Sequence, residues 1–156
     1  MLMECVGSLY PHAFSNILIA TLGSGYGAYD APGSQLPVAN INATGDILIG
    51  MPFNQFRVRK IVCRNPLVAG VSGNCSAAVV GLYTAAAGGG TAIAATGSNT
   101  LTNLTSNLTY QELTLAAAAA NTIFTGPATY YFNINTGVAN GTIEVDIYGD
   151  IVFGKG

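Results

Sequence analysis

Residues 65–111 contain no Asp, Glu, Lys or Arg, and neither do residues 113–143, so Glu112 alone interrupts a charge-free stretch about half the chain long. Soluble domains carry roughly 25% charged residues. This chain carries 8%, with 50% apolar residues and a positive mean hydropathy. The silent runs are built mainly from Ala, Gly, Thr, Asn and Ser rather than from large aliphatic side chains. A surface of that kind hydrogen-bonds water but is cheap to desolvate, because no charge has to leave water. It suits a protein packed against copies of itself or against a larger assembly.

The 156 residues are enough for one domain with a real core. Five basic and seven acidic residues give a net charge of -2. There is no basic block to track a phosphate backbone, so a nucleic-acid role is disfavoured. Cys5, Cys63 and Cys75 have no metal-ligand spacing, and His12 does not complete a zinc site with them. No metal or cofactor is expected. The few, odd-numbered cysteines point to reduced thiols, although Cys63 and Cys75 are placed where a hairpin could bring them together. The first residues lack a basic segment followed by an apolar core, which predicts no signal peptide. Ser76 to Gly97 is the nearest approach to a membrane span, but it is Ala-rich and broken by Gly88, Gly89 and Gly90. No membrane partner is expected.

Residues 1–45 read as an extended N-terminal arm, punctuated by Pro11, Gly23, Gly25, Gly27, Pro32, Gly33 and Pro37. Within it, the apolar run Ile17 to Leu22 can add a strand. Residues 46–156 read as the folded domain. The clearest strand is Gln55 to Arg64, where Phe56 and Val58 alternate with Arg57 and Arg59. The phase slips at Lys60, since Ile61 and Cys63 come next on the apolar side, and a β-bulge near Arg59 and Lys60 reconciles the two halves. Cys75 to Tyr83, Thr91 to Ala95, Leu108 to Leu115, Thr129 to Asn135 and Thr142 to Tyr148 are further strands. Leu101, Leu104 and Leu108 have helical spacing, but the Thr, Asn and Ser between them favour a loop or irregular strand. Ala116 to Ala120 has room for one helical turn. About eight short strands, with turn signals between them and no long amphipathic helix, predict an all-β fold: a β-sandwich, jelly-roll-like, with an extended arm.

Candidate chemistry is sparse. Gly23, Gly25, Gly27 and Ala28 follow the run ILIATL in a GxGxxA-like pattern, but Pro32 and Gly33 block the helix a dinucleotide site requires. Glu144, Asp146 and Asp150 put carboxylates on one side of the last strands, as an acid–base pair or a calcium site would. The plainer reading is an exposed strand face. Tyr83, Tyr110, Tyr130 and Tyr131 offer either a sugar-stacking platform or core filler. Four of the five basic residues, Arg57, Arg59, Lys60 and Arg64, fall within eight positions. They pair with acids on a neighbouring strand or subunit, and they mark an interface. Tyr10, Tyr26 and Tyr29 are the other expected interface residues, as aromatic anchors on the arm. His12 has no acid near it in sequence and reads as incidental. No catalytic residue is assigned.

From Phe56 to Asp150 an ordered set of phrases, FRVRKIV, GLYTAAAGGGTA, LTYQELTLAAAA, ATYYFNINT and GTIEVDIYGD, resembles the capsid decoration or cement proteins of tailed bacteriophages. The resemblance implies a β-rich, often trimeric structural protein without catalytic residues. Such a protein sits on the outer capsid surface of the virion, is assembled in the host cytoplasm, and binds major capsid protein subunits. A receptor- or carbohydrate-binding module of a head fibre or tail is the first alternative, and a glycan hydrolase the second.

Overall fold

The computed structural model describes residues 14–22 and 39–152. These residues form eleven strands and no α-helix: β1 (Phe14–Leu22), β2 (Ala39–Asn40), β3 (Gly45–Met51), β4 (Gln55–Val68), β5 (Val71–Ser72), β6 (Val79–Ala85), β7 (Gly89–Ala94), β8 (Tyr110–Glu112), β9 (Phe124–Thr125), β10 (Ala128–Thr136) and β11 (Gly141–Ile151). The protein is all-β, and every strand pairing is antiparallel.

The strands make two sheets. In the first, β11 lies between β4 on one side and β1 and β2 on the other. The far edge of β4 takes β9, β8 and β5 in turn along its length. The second sheet runs β3-β10-β6-β7. One core joins them. Phe56, Val58, Ile61 and Cys63 of β4 and Ile143, Val145 and Ile147 of β11 are buried with Ile49 and Met51 of β3, Phe132 and Ile134 of β10 and Leu82 of β6. The rings of Phe56, Phe124 and Tyr130 close one end, with centroids 5.5 to 6.1 Å apart.

The two-residue period dictates this packing. Phe56 and Val58, then Ile61 and Cys63, are buried on one side of β4. The phase slip between them is a bulge: Tyr148 pairs with Lys60 and Gly149 with Val58, leaving Arg59 as the extra residue. A bulge bends its strand and sharpens the twist. It also brings backbones close, since a Cβ on Gly149 would run into the Arg57 carbonyl.

Elsewhere the strands are shorter than the sequence pattern suggests. Cys75 to Ala78 is a turn, closed by Ala78 N–H donating to the Cys75 carbonyl at 3.0 Å, and pairing starts at Val79. Only Tyr110–Glu112 pairs within Leu108 to Leu115. Residues 101–109 form no strand; Leu101 and Leu104 plug the core while Leu108 is exposed. The alanine run supplies a 3-10 turn at Ala119–Asn121. Cys63 and Cys75 are buried free thiols. Burial pushes the Cys63 thiol well up, and the negative charge of Asp146 adds to the shift. Within the segment expected to be an arm, Phe14–Leu22 pairs along β11 and contributes Ile19 and Leu22 to the core. Among the described residues no helix is long and apolar enough to cross a membrane.

Candidate interaction surface

The outer face of the first sheet is built from residues that sit directly opposite one another and therefore share a side. Across β4 and β11 the pairs are Arg57 with Asp150, Lys60 with Tyr148, Val62 with Asp146 and Arg64 with Glu144. β8 adds Glu112 beside Val62 and Tyr110 beside Arg64, and β1 adds Leu18 beside Tyr148 and Thr21 beside Asp146. All four basic residues of the described chain lie here, together with every described acid except Asp46.

The carboxylates lie on the outer side of the strand, as the alternation requires, but they are not exposed as expected. Glu144, Asp146 and Asp150 are each only 4% to 5% exposed, because arginine side chains lie over them. Arg59 Nε donates to Asp150 at 2.6 Å and Arg64 Nε to Asp146 at 2.7 Å, while Arg64 Nη1 also meets Glu144. The remaining carboxylate oxygens are served locally. The Asn16 amide donates to Asp150 at 3.0 Å, Thr21 Oγ1 to Asp146 at 2.8 Å and Asn65 Nδ2 to Glu144 at 3.1 Å. Asn16 and Asn65 both have positive φ, a conformation Asn tolerates better than most residues. Burial works to raise the Asp150 carboxyl. The Asn16 hydrogen bond, the Arg59 hydrogen bond and charge, and the Arg57 charge outweigh it and hold the group below the usual carboxylate range.

The outer face of the second sheet is the opposite in character. One row crosses all four strands as Leu48, Tyr131, Tyr83 and Ala92, with no charge in it. Leu48 is 60% exposed at the β3 edge. The Tyr83 hydroxyl accepts the Thr96 amide at 2.9 Å, which anchors the end of its ring, and the residue is buried. Gly81 leaves room for that ring, since a Cβ there would lie 2.8 Å from it. The charge on this face is Asp46, which accepts from Asn133 Nδ2 and the Ala87 amide, both at 2.7 Å.

Of the expected interface residues, Arg57, Arg59, Lys60 and Arg64 come together on one face; Tyr10, Tyr26 and Tyr29 lie outside the described residues, as do His12 and the glycine pattern from Gly23 to Ala28. The four tyrosines do not form one platform. Tyr130 is in the core, Tyr83 and Tyr131 are neighbours on the second sheet, and Tyr110 projects from the first. Among the described residues no cluster of His, Cys, Asp and Glu could hold a metal ion. Leu48 is not legible in the sequence as special. Ile47, Leu48 and Ile49 are all apolar, so the run does not tell which sheet face stays uncovered. No protein-family model, no curated protein and no solved structure matches this chain.

Proposed function

We propose that this chain is a non-enzymatic structural protein of a bacteriophage particle, a decoration or cement component that binds the outer surface of the head and bridges major capsid protein subunits. The observation that carries the reading is the sorting of charge. Eight of the nine described ionisable acids and bases of the Asp, Glu, Lys and Arg types lie on one sheet face, and much of the remaining surface is small, uncharged and polar. Contacts made through such a surface forfeit little hydration, and symmetry multiplies many weak contacts into a strong shell.

The strand order supports the finer fold reading. First, eleventh, fourth and eighth strands in one sheet, with third, tenth, sixth and seventh in the other, is the arrangement two nested Greek keys produce in a jelly roll. That architecture is shared by viral capsid and lectin domains. Fold alone does not decide between these. Against a hydrolase, the acids that would be needed are tied up: Asp150 is ion-paired with Arg59 and Asp146 with Arg64. In the decoration reading the assembly is the trimer implied by the resemblance, and the protein resides on the virion surface.

The pair of Leu48 and Tyr131 on the second sheet's outer face favours the receptor- or carbohydrate-binding reading as second choice, since an aromatic ring can stack on a sugar. Cryo-electron microscopy of particles made with and without this chain separates the two. Density for the fold between capsid subunits, and heads that rupture at lower temperature when it is missing, is the expected result. Density confined to a tail or fibre, with positive glycan binding, would sink the cement reading.

A further inference from the structure

Three charges on the first sheet's outer face make no salt bridge among the described residues. Among the described residues Arg57 and Lys60 have no carboxylate in salt-bridge range, and Glu112 has no cation. Arg57 Nε is buried without a hydrogen-bond partner, and the Lys60 ammonium rests 4.8 Å from the centre of the Tyr148 ring. The charges are also sorted along the strands. One end holds Arg57, Arg59, Lys60 and Asp150, three cations against one anion. The other holds Arg64, Glu144, Asp146 and Glu112, one cation against three anions.

We propose that this face is the contact between two copies of the chain, related by a two-fold axis that lies in the interface plane and runs across the strands. Turning one copy over about that axis lays its positive end on its partner's negative end, and the same match recurs at the other end. A single-signed partner, such as an acidic segment, would match one end and leave the other opposed. The face is about 19 Å wide across four strands and about 36 Å long along β11, on the order of 700 Å² per copy. Standard interfaces bury about 800 Å² per partner. Its arginines and its exposed Tyr110 are residue types that interfaces favour. This pairing does not depend on where the protein works. A three-fold association, where one forms, uses other surface, and the two contacts together give even-numbered assemblies.

Sedimentation equilibrium of the full chain tests this. The expected result is a dimer at low ionic strength whose dissociation constant rises about tenfold or more between roughly 0.05 and 0.5 M salt. Arg57→Glu with Lys60→Glu makes both ends negative and should leave monomer. Glu112→Lys should weaken self-association, and mixing it with the double variant should restore a heterodimer. Lys60→Glu alone, which gives up the contact with the Tyr148 ring but none of the salt bridges among the described residues, guards against misfolding and should weaken the dimer while the melting temperature falls only slightly. A wild-type monomer at every salt concentration would overturn the proposal. So would an oligomer indifferent to Lys60→Glu, or association only with an added acidic polypeptide.

Discussion

The Asn99 side chain is 1% exposed and donates to the Ala95 and Thr114 carbonyls at 2.9 and 3.0 Å while accepting the Thr114 amide at 2.7 Å. It clamps the turn after β7 to the chain leading into the alanine turn. Asn99→Ala would take these partners from the Thr114 amide and carbonyl, and should cost about 1–3 kcal/mol in chemical denaturation. Nothing in a stretch rich in Asn and Thr singles this one out, because its role is set by the non-local Thr114. Asp150 is the second telling residue. Its folded pKa lies below its ordinary value, so as pH falls the unfolded chain takes up its proton first. The stabilisation is full above the unfolded value near 3.9 and is lost as pH drops through the folded one. Asp150→Asn should therefore be less stable than the parent in urea at pH 7, with the gap narrowing from about pH 4 downward. A gap independent of pH would show that the carboxylate's charge is not what matters.

At the scale of the element, β4 was readable to its bulge. The slip at Lys60 is visible because Phe56, Val58, Ile61 and Cys63 cannot share one face without an extra residue, and Arg59 is that residue. What the pattern hides is the partner's part, a glycine opposite the bulge. Gly149→Ala should destabilise by about 1–3 kcal/mol, as overpacking does, read as a lower denaturation midpoint; an unchanged midpoint would mean that β4 yields there. β11 is the other lesson. Its alternation assigns Ile143, Val145 and Ile147 inward correctly, but its acids are covered too. Burial on the outer side comes from long arginine side chains of β4, lying across the sheet, and strand period carries no information about that. The segment at residues 101–109 makes the converse point: leucines at helical spacing plug a core from a loop, held by Leu101 N–H to the Ala78 carbonyl and Cys75 N–H to the Leu104 carbonyl.

For the whole molecule, the two sheet faces divide the labour: one carries charge, the other presents Leu48 and Tyr131. Under the cement reading, Leu48→Lys should leave the melting of the isolated protein within about 0.5 kcal/mol of the parent, since the residue is exposed on an edge strand. It should nevertheless reduce occupancy on particles in a competition binding assay. Equal occupancy would move the contact to a different surface.

Composition and period determined a good deal on their own. Scarce charge, short alternating strands and frequent turn residues exclude a helical or nucleotide-binding fold and lead to an all-β domain, with Phe56, Val58 and Ile143 correctly on the inside. The cluster from Arg57 to Arg64 is contiguous in sequence, so it was visible before any fold. Its counter-ions on β11 lie about 80 residues or more away, at the far end of an antiparallel pairing. Only the tertiary structure decides register, and register decides which arginine meets which carboxylate, which charges make no salt bridge among the described residues, and which end of the face is positive.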